Sequence, residues 1–167
     1  MGIYATRRML PQTYADADFN ARELSAMVEH IAPTLHTLDI VRPAIAGVLF
    51  IFLMSLLAEP ARQQFNAILV AGAGAAYLNG GLGAWEFAYI PLATLVAYKG
   101  LRVYPYIGLA WFMHTGWDIV HHFFGAPIWH WMPTSSAGCA VFDSVIGCWF
   151  LAGAPTIWTL FRAPRTS

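Results

Sequence analysis

Residues 114–122 read His-Thr-Gly-Trp-Asp-Ile-Val-His-His, within a stretch that is otherwise strongly apolar. On a helix with about 100° per residue, Asp118 lies about 40° from His114. His121 lies about 20° away on the other side, and His122 about 80° away. The four ionisable groups therefore share one helix face. Because a charged group in the middle of a bilayer costs several kcal/mol, such residues are usually kept for a function.

The composition predicts an integral membrane protein. Of the 167 residues, 58% are hydrophobic and only 11% are charged, whereas soluble domains carry about 25% charged residues. The long apolar segments predict an all-α transmembrane bundle with the lipid bilayer as its first partner. The formal net charge is zero and the nine basic residues are scattered, so we expect no nucleic-acid partner.

The first forty residues differ from the rest of the chain. Asn20 followed by Glu23 resembles a capping box. Apolar residues then follow at helical spacing, namely Leu24, Met27, Val28, Ile31 and Leu35. This pattern predicts an amphipathic N-terminal extension over residues 1–40, which lies on the membrane surface or docks on a partner.

Residues 41–167 are predicted to form a five-helix transmembrane domain. Glycine, proline and short polar runs separate the apolar segments. Pro91 and Pro155 are expected to kink the third and fifth helices, and Ser135 or Ser136 can cap the fifth. The predicted helices cover about residues 42–58, 63–78, 84–98 and 105–125, and the fifth runs from just after 133–136 to about 161.

The charges of the short loops predict an orientation. Loops 79–83 and 126–137 contain no Lys or Arg, while the alternate loops and the C-terminal end contain Arg62, Lys99, Arg102, Arg162 and Arg165. The positive-inside rule places this second group in the cytoplasm. Five spans then place the N-terminus outside, although the arginines of the N-terminal segment argue against its export.

Antiparallel hairpins bring polar residues of four predicted helices to one end of the bundle. These residues are Asn79, Glu86, Asp118, His121, His122 and Asp143, with His114 near the middle of its helix. We predict that they form one polar cluster, because the convergence depends only on short connections between neighbouring helices.

Three chemistries fit this predicted cluster. A transition metal is one: His114, Asp118, His121 and His122 offer the mixed nitrogen and oxygen ligands that zinc, iron, copper or manganese accept. A tetrapyrrole with axial histidine is a related alternative. The polar residues can instead join helices through hydrogen bonds, or form a path for protons or solutes.

The same residues carry a resemblance to a known family. The chain resembles small bacterial polytopic inner-membrane proteins that are grouped only as a domain of unknown function, over about residues 43–160. The resemblance implies a compact multi-pass protein of the bacterial inner (cytoplasmic) membrane, and it implies no activity or cofactor. It rests on Tyr77-Leu78-Asn79-Gly80-Gly81, Trp85-Glu86, His114-Thr115-Gly116-Trp117-Asp118, His121-His122, the run Pro133–Cys139, and Asp143.

The expected function is that of a non-catalytic accessory subunit, packed with other membrane protein subunits in a larger assembly. Small size, no soluble catalytic domain and the amphipathic extension favour it. The first alternative is a membrane enzyme or electron-transfer protein that binds a metal or tetrapyrrole at the His/Asp cluster. The second is a small proton or solute transporter, which the lack of a visible internal repeat disfavours.

Overall fold

The structure, a computed structural model, describes residues 33–79 and 81–156. In these two stretches the regular elements are all helical and no strand is formed, which confirms the predicted all-α class. The stripe predicted for the N-terminal extension lies, apart from Leu35, outside the described residues. The elements are α1 (Thr37–Met54), α2 (Ala61–Ala73), a 3₁₀ helix (Gly74–Asn79), α3 (Ala84–Gly100), α4 (Tyr104–Phe124) and α5 (Ser135–Leu151).

Local sequence signals explain where most helices begin. α4 starts with Pro105 in its first turn, as predicted. α1 begins at Thr37, five residues before the predicted Arg42, because Asp39 Oδ2 accepts the backbone N–H of His36 at 2.9 Å and closes a capping box. Asp39 Oδ1 also accepts the hydroxyl of Thr134 at 3.1 Å, so the start of α1 is tied to the start of α5.

Three predicted helix ends are wrong. The first helix ends at Met54 instead of Ala58. The second helix tightens into the 3₁₀ helix at Gly74, instead of continuing as an α-helix to Leu78. The fifth ends at Leu151 instead of about Phe161, so Pro155 follows the helix and cannot kink it. The expected caps of α5 also differ: Ser135 and Ser136 hydroxyls accept backbone N–H groups of the preceding loop, at 3.0 and 3.3 Å.

α4 is the central helix of the bundle. It packs most extensively on α5, and on its other side it packs on α3 and α2, while α1 packs chiefly on α5. The backbones of α4 and α5 approach closely at Gly108, where a Cβ atom would lie 2.8 Å from the carbonyl oxygen of Gly147. Glycine is therefore required there for the contact of the two helices.

Besides an apolar core, the bundle buries several ionisable side chains and exposes many large apolar ones. Asp118 and Glu86 are 0% and 2% exposed, whereas Trp131 and Phe124 are 78% and 77% exposed. α1 is the one described helix that is long and apolar enough to cross a membrane; its 18 residues have a mean hydropathy of 1.9, and only 6% of them are buried. Ser135–Leu151 is a shorter apolar helix.

Candidate functional site: a buried His–Tyr–Asp network

Four elements contribute buried side chains to a network at one end of the bundle. The 3₁₀ helix contributes Tyr77, α3 contributes Glu86 and Tyr89, and α5 contributes Asp143. α4 contributes His114, Asp118 and His121 from its inward face. We call these residues the central network: Tyr77, Glu86, Tyr89, His114, Asp118, His121 and Asp143. Each of them is less than a tenth exposed.

The Tyr77 hydroxyl is the hub of the central network. It lies 3.0 Å from His114 Nδ1 and 2.9 Å from Asp118 Oδ1. The other ring nitrogen of His114, Nε2, lies 3.0 Å from the backbone carbonyl oxygen of Val70. These contacts connect α2 to the 3₁₀ helix and both to α4. His114, Tyr77 and Asp118 therefore form a continuous hydrogen-bonded chain, which we call the relay chain.

Aromatic rings enclose the relay chain. The Tyr77 ring lies between the rings of His114 and His121, with centroid distances of 5.3 and 5.2 Å. Tyr89 stacks in parallel on Trp117 at 4.5 Å and meets the Tyr77 ring edge-on at 5.4 Å. This packing holds the Tyr77 hydroxyl in place and separates the relay chain from the surrounding medium.

A second pair of ionisable groups lies beside the relay chain. His121 Nδ1 is 3.2 Å from the carbonyl oxygen of Ala126 and therefore carries a hydrogen that it donates. His121 Nε2 lies 3.6 Å from Glu86 Oε1, which accepts the backbone N–H of Leu82 at 3.1 Å. The remaining nitrogen of His121 makes no hydrogen bond and faces the Glu86 carboxylate.

Asp118 and Asp143 are close enough for their carboxyl groups to interact across the α4–α5 contact. Asp118 Oδ2 nevertheless makes no hydrogen bond in the geometry described, and the Tyr89 hydroxyl and Trp117 Nε1 also lack a partner. Buried polar atoms without partners are uncommon in folded proteins.

Two residues of the predicted cluster are placed differently from the rest. His122 is half-buried and packs edge-on against Phe123 at 5.1 Å, with its Nδ1 unpartnered. Asn79 ends the 3₁₀ helix, and its side chain lies outside what the structure describes. The structure thus brings together His114, Asp118 and Asp143 in one part of the network, and Glu86 with His121 in the other.

The described side chains do not form a ready three-ligand site for a metal ion. Among residues 33–79 and 81–156, no three side chains of His, Cys, Asp and Glu are arranged to hold one metal ion. Both ring nitrogens of His114 are engaged in hydrogen bonds, so neither is free to act as a ligand. His121 uses Nδ1 in the same way and has only Nε2 left.

A second group of polar residues lies near the opposite end of α4, where α2 begins. Arg62 is 5% exposed; its guanidinium pairs with Glu59, and Nε donates to the Tyr104 hydroxyl at 3.2 Å. Asn66, one turn further along α2, is fully buried and donates to the backbone oxygen of Arg62 at 2.8 Å. We call Glu59, Arg62, Asn66 and Tyr104 the Arg62 cluster.

Glu59 is the exposed member of the Arg62 cluster, with 45% of its side chain accessible. Partial burial raises the pKa of its carboxyl group, but the hydrogen bonds from Tyr104 and Arg62 lower it by more. The net effect holds the pKa of Glu59 below its usual range. The carboxylate therefore stays ionised beside the Arg62 guanidinium, whose charge it neutralises.

Comparison with protein families gives a match that covers most of the described chain. Residues 38–156 match a family of unknown function, DUF6010. The chain belongs to this family. The match spans α1 to the end of α5 and so includes every residue of the central network and of the Arg62 cluster. Comparisons with curated proteins and with solved structures gave no match.

Membership of DUF6010 confirms the family resemblance seen in the sequence motifs and assigns no activity. Residues 1–37 precede the matched region. Tyr77 and Tyr89 were not predicted as parts of the site, although Tyr77 opens the motif Tyr77-Leu78-Asn79. Arg62 was predicted to be a loop charge, whereas its side chain is buried. The sequence did carry one signal in both cases. Each polar residue lies at helical spacing from another residue that the structure buries.

Proposed function

We propose that this DUF6010 protein is a multi-pass membrane protein whose relay chain holds and exchanges a proton within the bilayer. The distribution of exposed and buried side chains supports the membrane location. Large apolar residues cover the outside of the bundle while carboxyl and imidazole groups are buried. A hydrocarbon environment favours this arrangement, since lipid solvates exposed apolar side chains but not polar ones. The bacterial inner membrane is the compartment we propose.

The observation that carries the proposal is the pair of short contacts on the Tyr77 hydroxyl. The carbonyl of Val70 can only accept, so His114 Nε2 carries a hydrogen. Hydrogen bonds from the Tyr77 oxygen to His114 Nδ1 and to Asp118 Oδ1 then require two hydrogens. Tyr77 supplies only one of them, so one further proton must reside on the relay chain.

That proton has two alternative positions. In one form Asp118 is a neutral acid that donates to Tyr77, and Tyr77 donates to His114 Nδ1. In the other, His114 is an imidazolium that donates to Tyr77, and Tyr77 donates to the Asp118 carboxylate. Two coordinated hops through the Tyr77 oxygen interconvert the forms, and both leave His114 and Asp118 together without net charge. This neutrality lowers the cost of burial in a bilayer.

Infrared spectroscopy in lipid nanodiscs tests the proposal. A change of pH that removes the further proton should remove the carbonyl band of protonated Asp118 in the parent protein. Subtracting the response of Asp118→Asn isolates this band from those of the other carboxyl groups. Ser144→Ala is the matched control, because Ser144 lies on α5 beside Asp143 but bonds to the backbone oxygen of Ala140 at 2.8 Å. Identical pH-dependent carboxyl bands in the parent protein and in Asp118→Asn, with both proteins folded, would refute proton exchange.

A second candidate function is that of an accessory subunit, in which the central network only joins helices. The exposed surface of α1 favours it. Gly47 is the one buried residue of α1, and Val48, Leu49 and Phe52 are among its exposed apolar side chains. A partner subunit can cover this surface in place of lipid. Affinity purification after cross-linking through a photoreactive group at Val48 tests this, since a lipid-facing α1 gives no discrete protein adduct.

A further inference from the structure

A cavity opens on the surface of the bundle where α3 connects to α4. Its volume is about 410 Å³, within the range of about 300–1,000 Å³ that is typical of small-molecule sites. We call it the α3–α4 cavity. Two of its lining residues are basic, two are tyrosines and none is acidic. The lining residues are Tyr98, Lys99, Leu101, Arg102, Val103 and Tyr106.

Close packing fixes the two helix ends that form the α3–α4 cavity. A Cβ atom at Gly100 would lie 2.6 Å from Ile107 Cγ1, so the end of α3 lies directly against the first turn of α4. Gln63 of α2 donates to the backbone oxygen of Gly100 at 2.9 Å. Lys99 Nζ lies 5.4 Å from the centroid of the Tyr106 ring, a cation–π contact between α3 and α4. The cavity is therefore built on packed helix ends.

The two basic side chains of the cavity are not neutralised by the part of the chain that the structure describes. Within residues 33–79 and 81–156, neither Lys99 nor Arg102 forms an ion pair with a carboxylate. Basic residues at the end of a helix often cap its last carbonyl groups. The last three carbonyl groups of α3, however, already accept backbone N–H groups or the Gln63 amide. Both basic side chains are therefore available to an anion from outside the chain.

An exposed apolar surface leads from the cavity toward the middle of the bundle. On α3, Leu92 and Leu95 precede Lys99 by seven and four residues, so the three share one helix face. On α4, Leu109 follows Tyr106 by three residues. All three leucines are exposed. A ligand with an anionic end and long apolar chains can use both the cavity and this surface, whereas a free anion can use only the cavity.

We propose that the α3–α4 cavity binds the phosphate group of an anionic phospholipid through Lys99 and Arg102. The planar guanidinium of Arg102 suits bidentate hydrogen bonds to phosphate oxygens, and the Lys99 ammonium adds a compact positive charge. Basic pockets between membrane helices on the cytoplasmic side bind lipid headgroups, and the positive-inside rule predicts that this end of the bundle faces the cytoplasm. The inference rests on the proposed membrane location and is independent of proton exchange in the relay chain.

Energy transfer from the tryptophans of the protein to pyrene-labelled phosphatidylglycerol, in detergent micelles, measures this binding. The parent protein should bind phosphatidylglycerol more tightly than phosphatidylcholine with the same labelled chains, because the second lipid carries a phosphate group but no net charge. Arg102→Gln and Lys99→Gln should each weaken phosphatidylglycerol binding about fivefold, as expected for the loss of one basic residue at an anionic lipid surface. Both side chains are exposed, so both variants should fold.

Arg42→Gln is the matched control. Arg42 is also exposed and basic, but it lies on α1 close to Asp39, which bonds to Thr134 at the start of α5. That is the end of the bundle opposite the α3–α4 cavity. The variant loses the same charge as Arg102→Gln and should bind phosphatidylglycerol like the parent protein. Equal affinity of the parent for the two lipids, or equal losses in Arg42→Gln and Arg102→Gln, would overturn the proposed site.

Competition with inorganic phosphate at constant ionic strength separates the two sources of the phosphate group. Millimolar phosphate that leaves the labelled lipid bound supports the phospholipid, whereas displacement of the lipid overturns that assignment and makes free phosphate the ligand. Failure of the lipid site leaves proton exchange standing, because the infrared difference between the parent and Asp118→Asn does not involve the cavity. Identical carboxyl bands in those two proteins would instead refute proton exchange and leave the lipid site standing.

Discussion

Replacing Tyr77 by phenylalanine removes a single oxygen from the centre of the relay chain. The change breaks the contacts of 3.0 Å to His114 Nδ1 and 2.9 Å to Asp118 Oδ1. Side-chain hydrogen bonds in membrane proteins contribute about 0.6 kcal/mol each on average, so two of them give about 1.2 kcal/mol. The buried groups left without a partner add about 1–3 kcal/mol. We expect Tyr77→Phe to lower the free energy of unfolding by about 2–4 kcal/mol.

Tyr89→Phe is the matched comparison. Tyr89 is buried in the same network and loses the same atom, but its hydroxyl makes no hydrogen bond, so its free energy of unfolding should change by less than about 0.5 kcal/mol. Reversible unfolding in mixed micelles with increasing SDS, followed by circular dichroism, measures both variants. Equal losses for the two variants, or a Tyr77→Phe loss below about 0.5 kcal/mol, would show that the Tyr77 hydroxyl does not hold the network together.

Three further predictions concern packing, pH and topology. Gly108→Ala should lower the free energy of unfolding by about 1–3 kcal/mol in the same assay, because the added Cβ meets the α5 backbone. Gly116→Ala should leave it unchanged, because a Cβ there has nothing within 4 Å. Equal losses would refute the close approach of α4 and α5. The pKa of Glu59 is lowered, so the contribution of Glu59 to stability is complete above the ordinary pKa of 4.5 and is lost as the pH falls through the lowered pKa. Glu59→Gln should remove that loss of stability in acid. An unchanged dependence of stability on pH in this variant contradicts the prediction. A cysteine that replaces Trp131 should react with an impermeant reagent in intact cells, and one that replaces Arg102 should not. The reverse pattern would show the opposite orientation.

Helix starts were predictable where a glycine-rich turn or a proline marks the boundary in the sequence. Ala84 follows a glycine-rich turn and Pro105 lies in the first turn of α4, and both helices begin there. Helix ends were less predictable, because apolar sequence continues past them. Gly74 gives way to a 3₁₀ helix within a run that reads as one helix, and Leu151 is followed by further apolar residues.

The site was only partly visible in the sequence for a related reason. His114 and Asp118 were predictable because ionisable residues stand out in an apolar segment. Tyr77 was not, since a tyrosine in such a segment resembles an aromatic packing residue until its hydroxyl is seen between two polar groups. His122 was grouped with the cluster because helical spacing alone cannot separate the centre of a face from its margin.

The position of α1 at the edge of the bundle bears on how the chain is synthesised. α1 packs chiefly on α5, so the first of the described helices to leave the ribosome meets its main neighbour last. Eighty-one residues separate Met54 from Ser135, which at about 5–20 residues per second takes roughly 4–16 s. In the proposed membrane protein, α1 would remain in the bilayer without its neighbour during that interval. It is also the one described helix whose length and hydropathy allow it to span a membrane unaided. The helix that is made well before its main neighbour is therefore the one best suited to cross a membrane alone.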